Sequence, residues 1–163
     1  MGDLDVSIVA DHLQILGHPS RVLWHEWIYA AFPADHDLAG RELLTWGDLR
    51  GEAFIVSRGG PGAEIQYRLM RELSCPGFRP LIEIHDVSRG SLLDLVAMGY
   101  GITIASTSAL KGKTDNLAFR PIAGEHDVIP AIAVRHASNT NPALQELLQL
   151  ADKVIRKSAQ SVR

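Results

Sequence analysis

Two short segments carry polar residues where an apolar strand gives way to a helix. The first, Ser57-Arg58-Gly59-Gly60-Pro61, follows an apolar run and precedes a segment of helical spacing. Successive backbone N–H groups that open onto a helix start suit a carboxylate or a phosphate, because the donors and the positive end of the helix both favour negative charge. An ordinary strand-to-helix loop is the alternative reading. The second segment is Asp86-Val87-Ser88-Arg89. Ser88 can cap a helix by taking an orphan amide proton of the first turn, and Arg89 adds a cation that is either a ligand contact or a solvated side chain.

Other reactive side chains do not assemble into a recognisable centre. The seven histidines are His12, His18, His25, His36, His85, His126 and His136. No two stand at the i,i+4 spacing that puts metal ligands on one helix face, and the lone Cys75 adds no ligand set. Asp35-His36-Asp37 reads as a solvated turn rather than a metal site. There is no G-x-S-x-G nucleophile elbow, and Gly99-Tyr100-Gly101 follows a helix rather than a strand, unlike a dinucleotide fingerprint. Glu26, Glu83 and Asp94 form no evident catalytic pair. The expectation is a protein that is not an enzyme and needs no metal or cofactor.

A binding segment needs elements to hold it, and these are legible around Ser88. Ser88 caps a helix, Leu92, Leu93, Leu95 and Val96 form an apolar run that predicts burial on most of its surface, and Gly99 can adopt the left-handed conformation that ends a helix. Pro80 to His85 supplies the strand before it and Ile102 to Ile104 the strand after. The three form a parallel βαβ unit, which in open α/β sheets turns helix N-termini toward a ligand crevice.

Elsewhere, Asp5 to Ala10, Val22 to Phe32, Ala53 to Ser57, Leu117 to Ile122 and Ala131 to Arg135 read as strands. Gly17-His18-Pro19 marks a loop, and Leu110 to Asn116 reads as a polar loop. Thr45, with Asp48 three residues on, predicts a one-turn helix with an approximate capping box. Ile65, Leu69, Met70 and Leu73 share a helical face, ended by Cys75-Pro76-Gly77. Asn141-Pro142 is a helix start with Asn as cap and Pro in the first turn, and Leu144, Leu147, Leu148, Ala151, Val154 and Ile155 give that helix an amphipathic face. Trp24, Trp27 and Tyr29, at strand spacing, could line a cleft or a subunit contact, though aromatics so spaced more often read as core. Strands alternating with helices make an α/β fold.

At 163 residues, 46% hydrophobic and 21% charged, the chain has the composition of a globular domain or two small lobes. No run approaches the roughly 18 apolar residues of a membrane helix. The start, Met1-Gly2-Asp3-Leu4-Asp5, is acidic and lacks a signal-peptide core. A single cysteine suits a reducing cytoplasm and is expected as a buried structural thiol. With a net charge of −3, and a basic cluster only at Lys153, Arg156, Lys157 and Arg163, the chain lacks the concentrated basic face of a nucleic-acid binder.

Six segments in order resemble landmarks of one family: Gly2 to Val6, Phe32-Pro33-Ala34-Asp35-His36-Asp37-Leu38, Asp48 to Ile55, Gly77-Phe78-Arg79-Pro80, Leu95 to Ile102, and Asn141-Pro142-Ala143-Leu144. Together, over essentially the whole chain, they resemble the effector-binding domain of LysR-type transcriptional regulators. The resemblance implies an α/β fold like a type 2 periplasmic binding protein, with one complete lobe and a partial second lobe joined by two crossover strands. Residues 36–130 would form the complete lobe II, and residues 1–35 with 131–163 the partial lobe I. The chain opens at what resembles the third strand of lobe I and carries no DNA-binding helix-turn-helix, which reads as a truncated regulator, natural or constructed.

The resemblance also implies where an effector would sit: along Ser57, Arg58, Gly59, Gly60 and Pro61; along Asp86, Val87, Ser88 and Arg89; and at the end of the first strand, Ala10, Asp11 and His12. The implied function is sensing of a small anionic metabolite, with transcription controlled through lobe closure and rearrangement of a cytoplasmic homo-oligomer, a dimer in the simplest case. The chain itself would touch neither DNA nor membrane. Two other readings stand beside it. One is an oligomerisation module that binds no effector and pairs with itself or with a full-length regulator, because the Asp5 to Ala10 strand would have an open edge. The other is a solute-binding protein of the same fold.

Overall fold

The computed structural model describes residues 5–10, 18–111, 115–123 and 128–160. In chain order its elements are β1 (Ser7–Ala10), β2 (Ser20–Pro33), β3 (Leu44–Thr45), β4 (Ala53–Ser57), α1 (Gly62–Leu73), β5 (Leu81–His85), α2 (Arg89–Ala97), β6 (Thr103–Ser106), β7 (Leu117–Ala123), β8 (Val128–Val134) and α3 (Pro142–Gln160). Short 3-10 turns run over Asp37–Gly40 and Thr107–Lys111. The chain divides into two compact units, residues 1–26 with 128–163, and residues 27–127.

In the first unit β8 lies between β1 and the beginning of β2. β1 and β8 are antiparallel, from Ser7 opposite Val134 to Ala10 opposite Ala131. α3 starts as its sequence dictates: the Asn141 side chain accepts the Ala143 N–H at 3.0 Å, and Pro142 occupies the first turn, where its missing N–H is no loss. Leu144 and Leu148, one turn apart, bury against Leu23 and Ala133, with Val6, Trp24 and Ala151 packed around them. Leu147 stays 49% exposed, so the apolar stripe that faces the sheet is narrower than the leucine spacing implies.

The second unit is built on β4. Parallel β5 lies along one edge of it, from Ala53 opposite Leu81 to Ser57 opposite His85. On the other edge Ile102, just before β6, forms a parallel bridge with Phe54, fastened by Ile55 N–H to Ile102 O and Ile102 N–H to Ala53 O, both at 2.8 Å. The chain therefore makes two excursions through helices, β4 to α1 to β5 and β5 to α2 to β6, and the second passes over β4. The expected βαβ unit exists, but its two strands are not neighbours. β6 continues into an antiparallel pairing with β2, which also pairs with antiparallel β7, and β7 with parallel β3. Ile28, Ala30, Ala31 and Phe32 of β2 are buried here, with Phe54, Leu69, Leu73, Leu44, Leu49 and Ile122.

Several expectations change. Thr45 does not open a helix: Leu44 and Thr45 pair with Ile122 and Ala123 of β7, and a turn follows. The capping-box hydrogen bonds form all the same, with the Asp48 carboxylate accepting from the Thr45 N–H at 2.8 Å and from its hydroxyl at 2.7 Å. Cys75 is exposed rather than buried, because it sits at a tight antiparallel bridge with Phe78 beyond the end of α1. Of the apolar run in α2 only Leu92 and Val96 are buried; they lie one turn apart and pack on Ile55. The three β2 aromatics are not buried core either, since Trp24 and Tyr29 are half-buried and Trp27 is 53% exposed.

Candidate functional site

The parallel register of β4 and β5 brings two of the candidate segments together. Ser57 and His85 are partners at the C-terminal ends of these strands, and beyond them the chain turns into α1 and α2 respectively. Arg58 donates its backbone N–H to the His85 carbonyl at 2.8 Å, which ties the first loop to the end of β5.

The loop from Ser57 to Pro61 is folded on itself. Ser57, nearly fully buried, donates its hydroxyl to the Gly59 carbonyl at 2.9 Å, and Gly62 N–H reaches the same carbonyl at 3.2 Å. Gly60 adopts φ +57°, the left-handed conformation that glycine takes without strain. Gly62 is under a tighter constraint: a Cβ there would lie 1.7 Å from the Ser57 carbonyl oxygen. The start of α1 is thus pressed directly onto the end of β4. No side chain caps α1, whose N-cap is Pro61; the Gly62 N–H is taken by the Gly59 carbonyl, and the positive end of a twelve-residue helix faces the loop without a side-chain acceptor. Arg58, Gly59, Gly60 and Pro61 are all exposed.

The second loop is closed by its own cap. The Ser88 hydroxyl accepts the Ser91 N–H at 3.2 Å and lies 3.0 Å from the Ser91 hydroxyl. Val87 turns inward onto the Ile55, Leu92 and Val96 cluster and so anchors the loop rather than lining it. Asp86 and Arg89 are exposed. At its far end α2 closes with the Gly99 N–H to Val96 O and the Tyr100 N–H to Leu95 O, Gly99 standing at φ +82°. That is the glycine stop the sequence implies.

Electrostatically the two loops nearly cancel in side-chain charge. The Arg58 guanidinium stands 3.9 Å from the Asp86 carboxylate, both well exposed, and a pair so placed contributes at most about 1 kcal/mol. Arg89 is the remaining cation and Glu64, in the first turn of α1, the remaining acid. Preference for an anion therefore rests on backbone donors and helix dipoles, with Arg58 as the adjustable charge. His85, whose imidazole Nε2 lies 3.4 Å from a Glu83 carboxylate oxygen, stands at the seam between the loops. Sequence reasoning did not single it out, because only the β4–β5 register places it there.

The third candidate segment lies apart from this description. Ala10 ends β1 in the other unit, opposite Ala131, and Asp11 and His12 lie outside the described residues. Asp35-His36-Asp37 holds a structural role. The His36 imidazole accepts the Leu38 N–H through Nδ1 at 3.2 Å, stands 3.5 Å from Glu52 through Nε2, and lies over the Phe32 ring. Among the described residues no three His, Cys, Asp or Glu side chains converge as metal ligands, and no helix is long and apolar enough to cross a membrane.

Comparison with known proteins gives one consistent result. Residues 1–156 match the family model described as LysR substrate binding domain. Among curated proteins, the chain is 27% identical over 161 residues to the Hca operon transcriptional activator HcaR of Escherichia coli, an alignment that takes in 93% of this chain and 51% of the relative. The chain thus spans about half the length of that relative. Among solved structures, it superposes on the BenM effector binding domain with its effector benzoate at a TM-score of 0.80 and 19% identity, over 96% of this chain and 71% of the other. The reduced OxyR regulatory domain from Pseudomonas aeruginosa follows at a TM-score of 0.73 and 19% identity, over 93% and 73% of the two chains. These likenesses show the fold, an α/β arrangement of the type 2 periplasmic-binding-protein kind.

Proposed function

Because this chain belongs to the family of LysR substrate-binding domains, we propose that it is the effector-sensing part of a transcriptional regulator and takes a small anionic metabolite at the loops that follow β4 and β5. One observation carries the reading. The bare start of α1 and the capped start of α2 leave adjacent parallel strands at the same end, and the Arg58–His85 hydrogen bond holds the two loops together. An anion there meets backbone donors, a helix dipole and the Arg58 guanidinium at once. That BenM is seen with benzoate as its effector is in keeping with a carboxylate ligand.

In this reading residues 36–130 act as lobe II, and residues 1–35 with 131–163 supply part of lobe I, with Asp11 and His12 on that side. The effector shifts the balance between two arrangements of a cytoplasmic homodimer, by no more than the difference in its affinity for them. Operator contact is assigned in this reading to other parts of a regulator, since the sequence gathers its basic residues only at Lys153, Arg156, Lys157 and Arg163.

The test is a thermal-shift screen of small carboxylates and aromatic acids, repeated with Arg58→Ala. We expect at least one acid to raise the melting temperature of the unaltered chain and the gain to shrink in the variant. A screen in which no acid stabilises the chain, or in which Arg58→Ala responds equally, overturns the proposal.

A second reading, as a pairing module, is favoured by the edges of the sheets. Among the described residues β1 pairs only with β8, and β5 only with β4. Ile8 is 56% and Leu81 63% exposed on them, the kind of edge that proteins cover or pair. A monomer by light scattering at micromolar concentration would remove this reading.

A further inference from the structure

The unit of residues 1–26 and 128–163 carries a half-open pocket of about 200 Å³, remote in sequence from the loops after β4 and β5. Its walls are of two kinds. Pro19, Ala133 and Leu148 are apolar; Ser20, Arg135 and Gln145 are polar. Arg21 also borders it, but its guanidinium is already matched by the carboxylate of Asp152.

Arg135 is different. Its backbone N–H is used by the Pro19 carbonyl at 3.2 Å. Its side chain is half-buried, and among the described residues its guanidinium makes one long contact, Nη1 to the Asn139 carbonyl at 3.5 Å. Among the described residues no carboxylate lies within ion-pair distance of it. A guanidinium carries five donors in a planar fork that fits a carboxylate through two parallel hydrogen bonds. Half-buried at the edge of the pocket, it is a cation with no carboxylate partner among the described residues.

The cavity size narrows the ligand. A water occupies about 30 Å³ of liquid, so the space exceeds what one or two waters fill. It is smaller than the roughly 300–1,000 Å³ of sites for drug-sized molecules. The apolar wall opposite the polar groups favours a ligand with a hydrocarbon body over a fully hydrated inorganic anion.

We propose that this unit binds a small organic monocarboxylate, its carboxylate on Arg135 with Gln145 and Ser20 as further hydrogen-bonding partners, and its hydrocarbon end on Pro19, Ala133 and Leu148. The proposal is independent of the effector reading above, because it uses none of those residues. It assigns a second place at which a metabolite acts on the chain. A ligand there contacts both α3 and the ends of β2 and β8, and so stiffens the packing of this unit.

The experiment is a titration of the whole chain with butyrate, followed by amide and side-chain NMR, with butyramide as the neutral match. We expect saturable shifts at Ser20, Arg135 and Gln145 with butyrate and none with butyramide. Arg135→Gln should weaken binding about tenfold or more, the worth of a charge-assisted hydrogen bond, while Arg79→Gln, an exposed substitution in the other unit, changes nothing. Shifts confined to Gly59 and Gly60 would overturn this proposal while supporting the effector site. Equal binding of butyramide, an unaffected Arg135→Gln variant, or the absence of saturable shifts at Gln145 up to millimolar butyrate would overturn it as well. If Arg135→Gln does not fold, the butyrate-against-butyramide shift map of the unaltered chain decides alone.

Discussion

Arg58 donates its main-chain N–H to the carbonyl of His85 at 2.8 Å, so the loop that leaves one strand is fastened to the last residue of its neighbour. The bond uses backbone atoms only, so it does not occupy the Arg58 guanidinium, which stands 3.9 Å from the Asp86 carboxylate. The position of the loop and the charge it carries are thereby separable, and they can be tested by different substitutions.

Gly62→Ala tests the position. A methyl group 1.7 Å from the Ser57 carbonyl oxygen cannot be accommodated unless α1 and the loop move apart. We expect a loss of about 2 kcal/mol or more in urea denaturation, in the range of backbone strain and overpacking. Amide shifts should spread from Ser57 through Gly60.

Asp86→Asn tests the charge. The Asp86 carboxylate, 3.9 Å from Arg58, competes with any bound anion for that guanidinium. Removing it should tighten binding of a carboxylate at this site by about threefold at low salt, the scale of one exposed charge at several ångströms in water. The gain should fade as salt is added. Stability to urea should be unchanged within about 0.5 kcal/mol, since exposed pairs contribute little.

Ser88→Ala removes the cap of α2, whose hydroxyl accepts the Ser91 N–H at 3.2 Å. We expect about 1 kcal/mol of destabilisation by urea denaturation. Ser88→Asp should recover most of it, because a carboxylate both caps the helix and meets its positive end. If Ser88 also contacts the effector, Ser88→Asp will restore stability without restoring affinity.

Asp48 gives a pH dependence. Hydrogen bonds from the Thr45 N–H and hydroxyl hold its carboxyl below the ordinary carboxylate value, against the opposing effect of desolvation and with a weaker contribution from the nearby Arg41 guanidinium. A group whose pKa is lowered on folding contributes stability that is present above its unfolded pKa and is lost as the pH falls through the folded one. Unfolding measured across the acid range should therefore show an Asp48 contribution that begins to decline as the pH falls below about 3.9, the ordinary aspartate value, and is lost as the pH passes the lowered folded one. Thr45→Val should move the Asp48 titration upward when it is followed by carboxyl NMR.

What was legible in the sequence was local chemistry. Ser88, Gly99 and Asn141-Pro142 mark helix ends because capping and left-handed stops involve neighbours in the chain. Thr45 and Asp48 show where this fails. Their reciprocal hydrogen bonds form as the spacing implies, yet pairing of Leu44 and Thr45 with β7 takes the backbone away from helix. Leu92, Leu93, Leu95 and Val96 read as one buried run, but a helix lying on a sheet buries only the residues one turn apart that face it. The seam between the two candidate loops was legible in its parts and not as a whole. Ser57 and His85 meet only through the β4–β5 register, and neither residue carries that pairing in its own surroundings. The pocket at Arg135 was hidden for the same reason, since it is assembled from residues more than a hundred positions apart.

The exposed Cys75 has a practical consequence. It is the sole thiol in the chain, and it follows the C-terminal end of α1, a helix of twelve residues and so about 18 Å long. The other end of that helix is the uncapped one beside Gly59 and Gly60. A maleimide dye placed on Cys75 without any prior mutagenesis would therefore sit at a known distance from the loops, too far to obstruct them. It would report by fluorescence whether α1 moves when an acid is added.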